Sequence, residues 1–140
     1  MKLSDLQYIP ATDLPAPHAL YRIQRQRARP GSLRLGRLLL PPSDLMCGRF
    51  DVRGQPVAYF AETPETAAYE VLCRREALAL SMAELGQRNL LYVQTRVPLS
   101  LLDLRPHAQS WPVLQSLRFG LTQGLAKQAL QYGFAAVGVE

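Results

Sequence analysis

The sequence is poor in the residues that usually staple a small protein. Two cysteines in 140 residues, Cys47 and Cys73, are too few and too far apart for a disulfide framework or a thiolate metal site. Two histidines, His18 and His107, exclude a histidine-built zinc centre, so no metal is expected. Lysine is nearly absent: of 16 basic residues only Lys2 and Lys127 are lysines, and the other 14 are arginines. Charged residues amount to 19% against 48% hydrophobic, which excludes a disordered chain. No apolar run approaches the length of a membrane span. The amino-terminal MKLSDLQYIP lacks the apolar core and cleavage site of a secretory signal. The expected compartment is a reducing cytoplasm, with no membrane partner.

What remains is a chain of single-domain length with enough apolar content to bury roughly two-thirds of its unfolded surface. The net charge is +5. A surplus made of arginine favours planar, bidentate recognition of phosphate or carboxylate over diffuse solubilising charge. Phosphate-bearing partners are therefore expected.

Residues 1–18 are polar and broken by Pro10, Pro15 and Pro17, and read as an extended lead-in to a domain over 19–140. Residues 19–24 (ALYRIQ) alternate as a short strand, with Leu20 and Arg22 on one face and Tyr21 and Ile23 on the other. Residues 25–37 carry Arg25, Arg27, Arg29, Arg34 and Arg37 with no acid among them, around a Pro30-Gly31 turn. Gly48-Arg49-Phe50 leads through a turn at Gly54 into residues 56–61 (PVAYFA), a β-rich run of strand length. Thr63 suits a helix N-cap, Pro64 the first helical position and Glu65 the positive end of the dipole, which predicts a helix over 64–80. Residues 90–97 read as a strand with Leu91, Val93, Thr95 and Val97 on one face. Residues 99–104 read as a further short strand or turn, and 107–112 as loop. Residues 122–132 read as a helix with Leu125, Ala129 and Tyr132 on one stripe, capped by Gly133 and followed by a strand over 134–139.

The stretch from Arg49 to Glu70 assembles groups with a joint chemical use. Arg49 precedes the run that bears Tyr59, and Glu70 lies on the helix that follows. Arginine holds a diphosphate by charge-assisted hydrogen bonds. A tyrosine face attracts a flat cationic ring by about 0.5–2 kcal/mol. A carboxylate serves ribose hydroxyls or positive charge growing at an anomeric carbon. Each residue also has an ordinary use: Glu70 pairs with Arg74 at i+4, Tyr59 packs within a strand, Arg49 is a solvated charge, and Arg22 sits on a strand edge.

Taken in order, Tyr21-Arg22, Gly48-Arg49-Phe50, Ala58-Tyr59-Phe60-Ala61 and the run from Thr63 to Glu70 (TPETAAYE) resemble the RES domain, the toxin half of RES–Xre toxin–antitoxin systems. The resemblance extends from about Leu20 to the last residue. Arg22 looks like the family's Arg and Glu70 like its Glu. The family's Ser follows the C-terminal strand, and this sequence ends at Glu140, ahead of that position. The expectation is a RES domain lacking its last C-terminal segment.

The resemblance implies an α+β fold, a split β-sheet core with flanking helices as in ADP-ribosyltransferases. It further implies an enzyme that consumes NAD+ as substrate, breaking the nicotinamide–ribose bond by hydrolysis or phosphorolysis. Arg22 and Arg49 would hold the diphosphate, Tyr59 would stack on nicotinamide, and Tyr21 would line the ribose pocket. Glu70 would organise the ribose and stabilise the oxocarbenium-like transition state, with Arg22 as the second catalytic residue. The implied partner is an Xre-type helix-turn-helix antitoxin, with a homodimer of this chain inside the complex. The alternatives are transfer of ADP-ribose to a protein target, an inactive RES-like binding protein, and a nucleic-acid-binding module built on residues 25–37.

Overall fold

The computed structural model describes residues 2–73, 82–115 and 118–139. Helices and short strands are mixed without strict alternation, in sheets of two or three strands among the described residues, an α+β arrangement. The chain divides into two compact units: residues 1–16, 43–57 and 97–140 form the first, residues 17–42 and 58–96 the second.

In the first unit, the stretch expected as an extended lead-in instead forms a 3-10 turn, Leu3–Tyr8, and a strand, β1 (Thr12–Leu14). The reason is Leu6, which is fully buried in the core and anchors the turn. β1 pairs antiparallel with a strand over Leu99–Asp103, and that strand pairs parallel with a terminal one, Ala136–Gly138. A parallel pair requires a long crossover, and the helix Phe119–Gln131 lies within it. This helix starts three residues earlier than expected. Leu125, Ala126 and Ala129 bury its inner stripe against Leu102, Leu104 and Leu114, whereas Tyr132 sits at its C-cap and is exposed. Gly133, at φ 89°, adopts the left-handed conformation that ends it. The Phe134 amide donates to Ala129 O (3.1 Å) and the Gly133 amide to Leu130 O (3.0 Å), the paired bonds of a Schellman cap. The terminal strand passes close to Asp103 at Gly138, where a Cβ would lie 3.3 Å from Asp103 Oδ1 and press on that side chain.

The second unit is built on β2 (Ala19–Arg25), paired antiparallel with a strand over Arg88–Gln94, the register running from Ala19 opposite Gln94 to Arg25 opposite Arg88. That partner ends at Gln94, short of the expected 97. Leu91, Val93 and Thr95 are half-buried as their alternation predicts, but Val97, past the strand end, is 61% exposed. β3 (Leu33–Leu35) and β4 (Leu38–Leu40) form a separate hairpin. Gly36, at φ 59°, takes the first position of its two-residue loop, where a mirror-image turn needs glycine. The run 56–61 does not join a ladder. It is extended, and only Ala61 pairs, through reciprocal 2.8 Å bonds with Tyr21.

In chain order, the strands over Arg88–Gln94, Leu99–Asp103 and Ala136–Gly138 are β5, β6 and β7. The predicted helix begins where expected, as α1 (Pro64–Ala68), with the Thr63 hydroxyl accepting from the Thr66 amide at 3.1 Å. It then widens into a π-helical turn over Tyr69–Cys73. The remainder of the predicted 64–80 helix lies outside the described residues. A short α2 (Met82–Leu85) precedes β5, and the helix Phe119–Gln131 is α3.

Candidate functional site

Arg22 occupies the middle of β2, on the face it shares with Leu20 and Gln24. Its guanidinium reaches two pieces of the second unit at once. Nη1 donates to Tyr59 O at 3.1 Å and Nη2 to Leu39 O at 3.1 Å. Nε is shielded from solvent and has no hydrogen-bond partner among the described residues. Burial holds the Arg22 pKa below the usual arginine value, and the neighbouring Tyr59 acts in the opposite direction. No carboxylate among the described residues bonds to this cation. A half-buried guanidinium satisfied only by neutral carbonyls keeps an uncompensated charge, and an anion would stabilise it strongly.

Gln24, two residues on along the same face, is buried and clamps the hairpin: its Oε1 accepts from the Leu39 amide at 3.0 Å and its Nε2 donates to Arg37 O at 2.8 Å. Arg22 and Gln24 together therefore fix β4 against β2. Sequence reasoning did not single out Gln24, although its strand parity with Arg22 was visible.

Tyr21 projects to the opposite face of β2 and meets Tyr92 on β5, ring centroids 5.5 Å apart and planes tilted by 56°. Its backbone also carries the bridge to Ala61, so it is fixed from two sides. Tyr59 is 38% exposed, with its carbonyl held by Arg22. Its strand-like setting is supplied by that bond and by the Tyr21–Ala61 bridge in place of a ladder. α1 packs against β2, and Glu70 follows it in the π-helical turn as an exposed residue. A single-turn π segment widens the helix by one residue and often marks a functional position. Arg74, the expected i+4 partner of Glu70, lies outside the described residues.

Tyr21, Arg22, Tyr59 and Glu70 all belong to the second unit, whereas Arg49 belongs to the first. Within its own unit Arg49 is thoroughly tied. Its Nη2 donates to Leu114 O, its carbonyl accepts from the Thr122 hydroxyl, and its guanidinium lies 5.7 Å from the Phe50 ring centroid. Gln123 Nε2 secures the preceding loop through Met46 O (3.1 Å) and Gly48 O (2.9 Å). Among the described residues no cluster of His, Cys, Asp and Glu could hold a metal ion, and no helix is long and apolar enough to cross a membrane.

The RES domain profile matches residues 19–139. The chain belongs to the RES domain family. All five candidate residues fall inside the matched RES region, including the half-buried Arg22. No curated protein and no solved structure matches the chain closely enough to add a further relative.

Proposed function

We propose that this RES domain protein is the toxin of a RES–Xre toxin–antitoxin pair, and that it depletes cytoplasmic NAD+ by cleaving the nicotinamide–ribose bond. The observation that carries the reading is Arg22, a half-buried cation held by two carbonyls and by no carboxylate among the described residues, in the β2 segment of a RES match. An NAD+ diphosphate supplies the missing countercharge. Exchanging one carbonyl for a phosphate oxygen is favourable because the carbonyl only solvates the guanidinium, whereas the phosphate brings a full negative charge in a geometry that suits paired hydrogen bonds.

The chemistry asks little of acid–base groups. As the C–N bond breaks, its electron pair stays on the nicotinamide nitrogen, which departs neutral and needs no proton. Positive charge is left on the ribose, where the Glu70 carboxylate stabilises it. Water or phosphate then bonds to the anomeric carbon, and in hydrolysis the water proton is released to solvent. Tyr59 offers its ring to the nicotinamide, and Tyr21, braced by Tyr92, lines the ribose pocket. An Xre-type helix-turn-helix antitoxin is the proposed inhibitor partner, in a complex containing a homodimer of this chain.

The test is nicotinamide release from NAD+ by the purified full chain, beside Glu70→Gln and Arg22→Lys. Glu70→Gln is expected to lower the rate on the order of 10²-fold or more. Arg22→Lys is expected to raise KM, because an ammonium cannot span two acceptors as a fork does. Release in buffer alone identifies water as acceptor, release that requires phosphate identifies phosphorolysis, and label retained on protein identifies transfer. Absence of release from the unsubstituted chain overturns the reading.

A further inference from the structure

The arginine-rich segment after β2 has no role in that chemistry, and its structure points to a partner. Arg25, Gln26, Arg27 and Gln87 line an open hollow of about 470 Å³ at the end of the β2–β5 ladder. The hairpin is tied to the same end, since Gln24, next to Arg25, holds the Arg37 carbonyl in the turn. β3 is an edge strand: its sheet has two strands, and among the described residues only β4 pairs with it. All three β3 residues are exposed, Leu35 by 56%. No Asp or Glu occurs between Arg25 and Ser43.

We propose that β3 and this hollow form a docking surface for an extended acidic segment of a partner protein, added as a strand along β3. An open edge offers a row of backbone donors and acceptors, which gives affinity to any extended chain. Charge selects among such chains. Arg34 and Arg37 on the hairpin, with Arg25 and Arg27 in the hollow, repel a second copy of β3 and take carboxylates by paired hydrogen bonds. Leu33 and Leu35 alternate with Arg34, so an added strand meets apolar side chains on one face and a guanidinium on the other. Nucleic acid fits less well. Residues 25–43 contain no aromatic ring on which a base could stack, and exposed leucines gain nothing from a phosphate backbone. This proposal is independent of NAD+ turnover.

Fluorescence anisotropy with the full chain tests it. The probes are a labelled peptide alternating Glu and Val, the same peptide N-methylated on alternate amides, and labelled oligothymidylate. The plain peptide is expected to bind, with affinity falling by about tenfold or more in the Arg34→Glu/Arg37→Glu variant. The N-methylated peptide is expected to lose binding, because it cannot complete the ladder. Circular dichroism verifies that the variant is folded; if it is not, Arg25→Glu/Arg27→Glu, outside the hairpin, replaces it. Failure of the plain peptide to bind overturns the proposal, as does equal binding by the methylated one. Tighter binding of oligothymidylate, with displacement of the peptide, reassigns the surface to nucleic acid.

Discussion

The two units have interiors of opposite character. The first is held by apolar packing: Leu6, Leu102, Leu104, Leu114 and Leu125 are essentially inaccessible and contact one another in a single cluster. The second has few buried apolar residues among those described, Leu40 and Ala67, and its organising side chains are polar. Arg22 and Gln24 cross from β2 to backbone groups of β4, the hairpin turn and the Tyr59 segment. A region joined by hydrogen bonds to backbone groups has directional and specific geometry, but little margin when one bond is lost. The proposed chemistry resides mainly in that region, and the bulk of the described apolar core in the other.

Substitutions can break this contrast, and the largest effects belong to the first unit. Leu102→Ala and Leu125→Ala each remove a fully buried side chain and are expected to cost about 2–5 kcal/mol in urea denaturation. A loss below about 1 kcal/mol would mean that the cluster relaxes around the cavity and that the contrast is overstated. Gln24→Leu tests the second unit. It keeps bulk but strands the Leu39 amide and the Arg37 carbonyl, with an expected cost of about 1–3 kcal/mol. Hydrogen exchange sharpens the result, since the Leu39 amide should exchange faster than in the unsubstituted chain. Unchanged protection would show that the hairpin stands without the clamp.

The smallest expected effect is electrostatic. Asp103 and Arg105 form a fork in the first unit, with Nε to Oδ1 at 2.8 Å and Nη2 to Oδ2 at 2.9 Å. The hydrogen bonds from Arg105 hold the Asp103 pKa below the usual carboxylate value, against an opposing contribution from burial. A carboxyl whose folded pKa is depressed stabilises the fold above its unfolded pKa of about 3.9 and loses that contribution as pH falls through the lower folded value. With Arg105 partly exposed, the pair contributes about 1 kcal/mol or less. Asp103→Asn should therefore lower the neutral-pH melting temperature slightly and flatten its decline below pH 4. An unchanged acid limb would place that pH dependence on other carboxylates.

Elements whose signals are local were legible in the sequence. The Thr63-Pro64 helix start, the alternation of β2, and Gly133 past α3 follow from capping, parity and backbone freedom within a few residues. Elements that depend on distant partners were not. Residues 56–61 have strand composition but no ladder, and the identity of the bridging residue, Ala61, is set by Tyr21 some forty positions away. Leu6 gave no periodic signal because a single buried side chain in a proline-broken stretch has no period to show. At the candidate site, the residue types were legible through the resemblance. Gln24 was not, since its role depends on where the hairpin carbonyls lie.

The π-helical turn over Tyr69–Cys73 has a consequence for comparing relatives. A turn holding one residue more than an α turn shifts helical phase by about 100°. A relative with an uninterrupted α-helix would be expected to align with a one-residue gap beside Glu70. Column-by-column matching across Tyr69–Cys73 would then pair residues that do not share a helix face unless the extra residue is placed first.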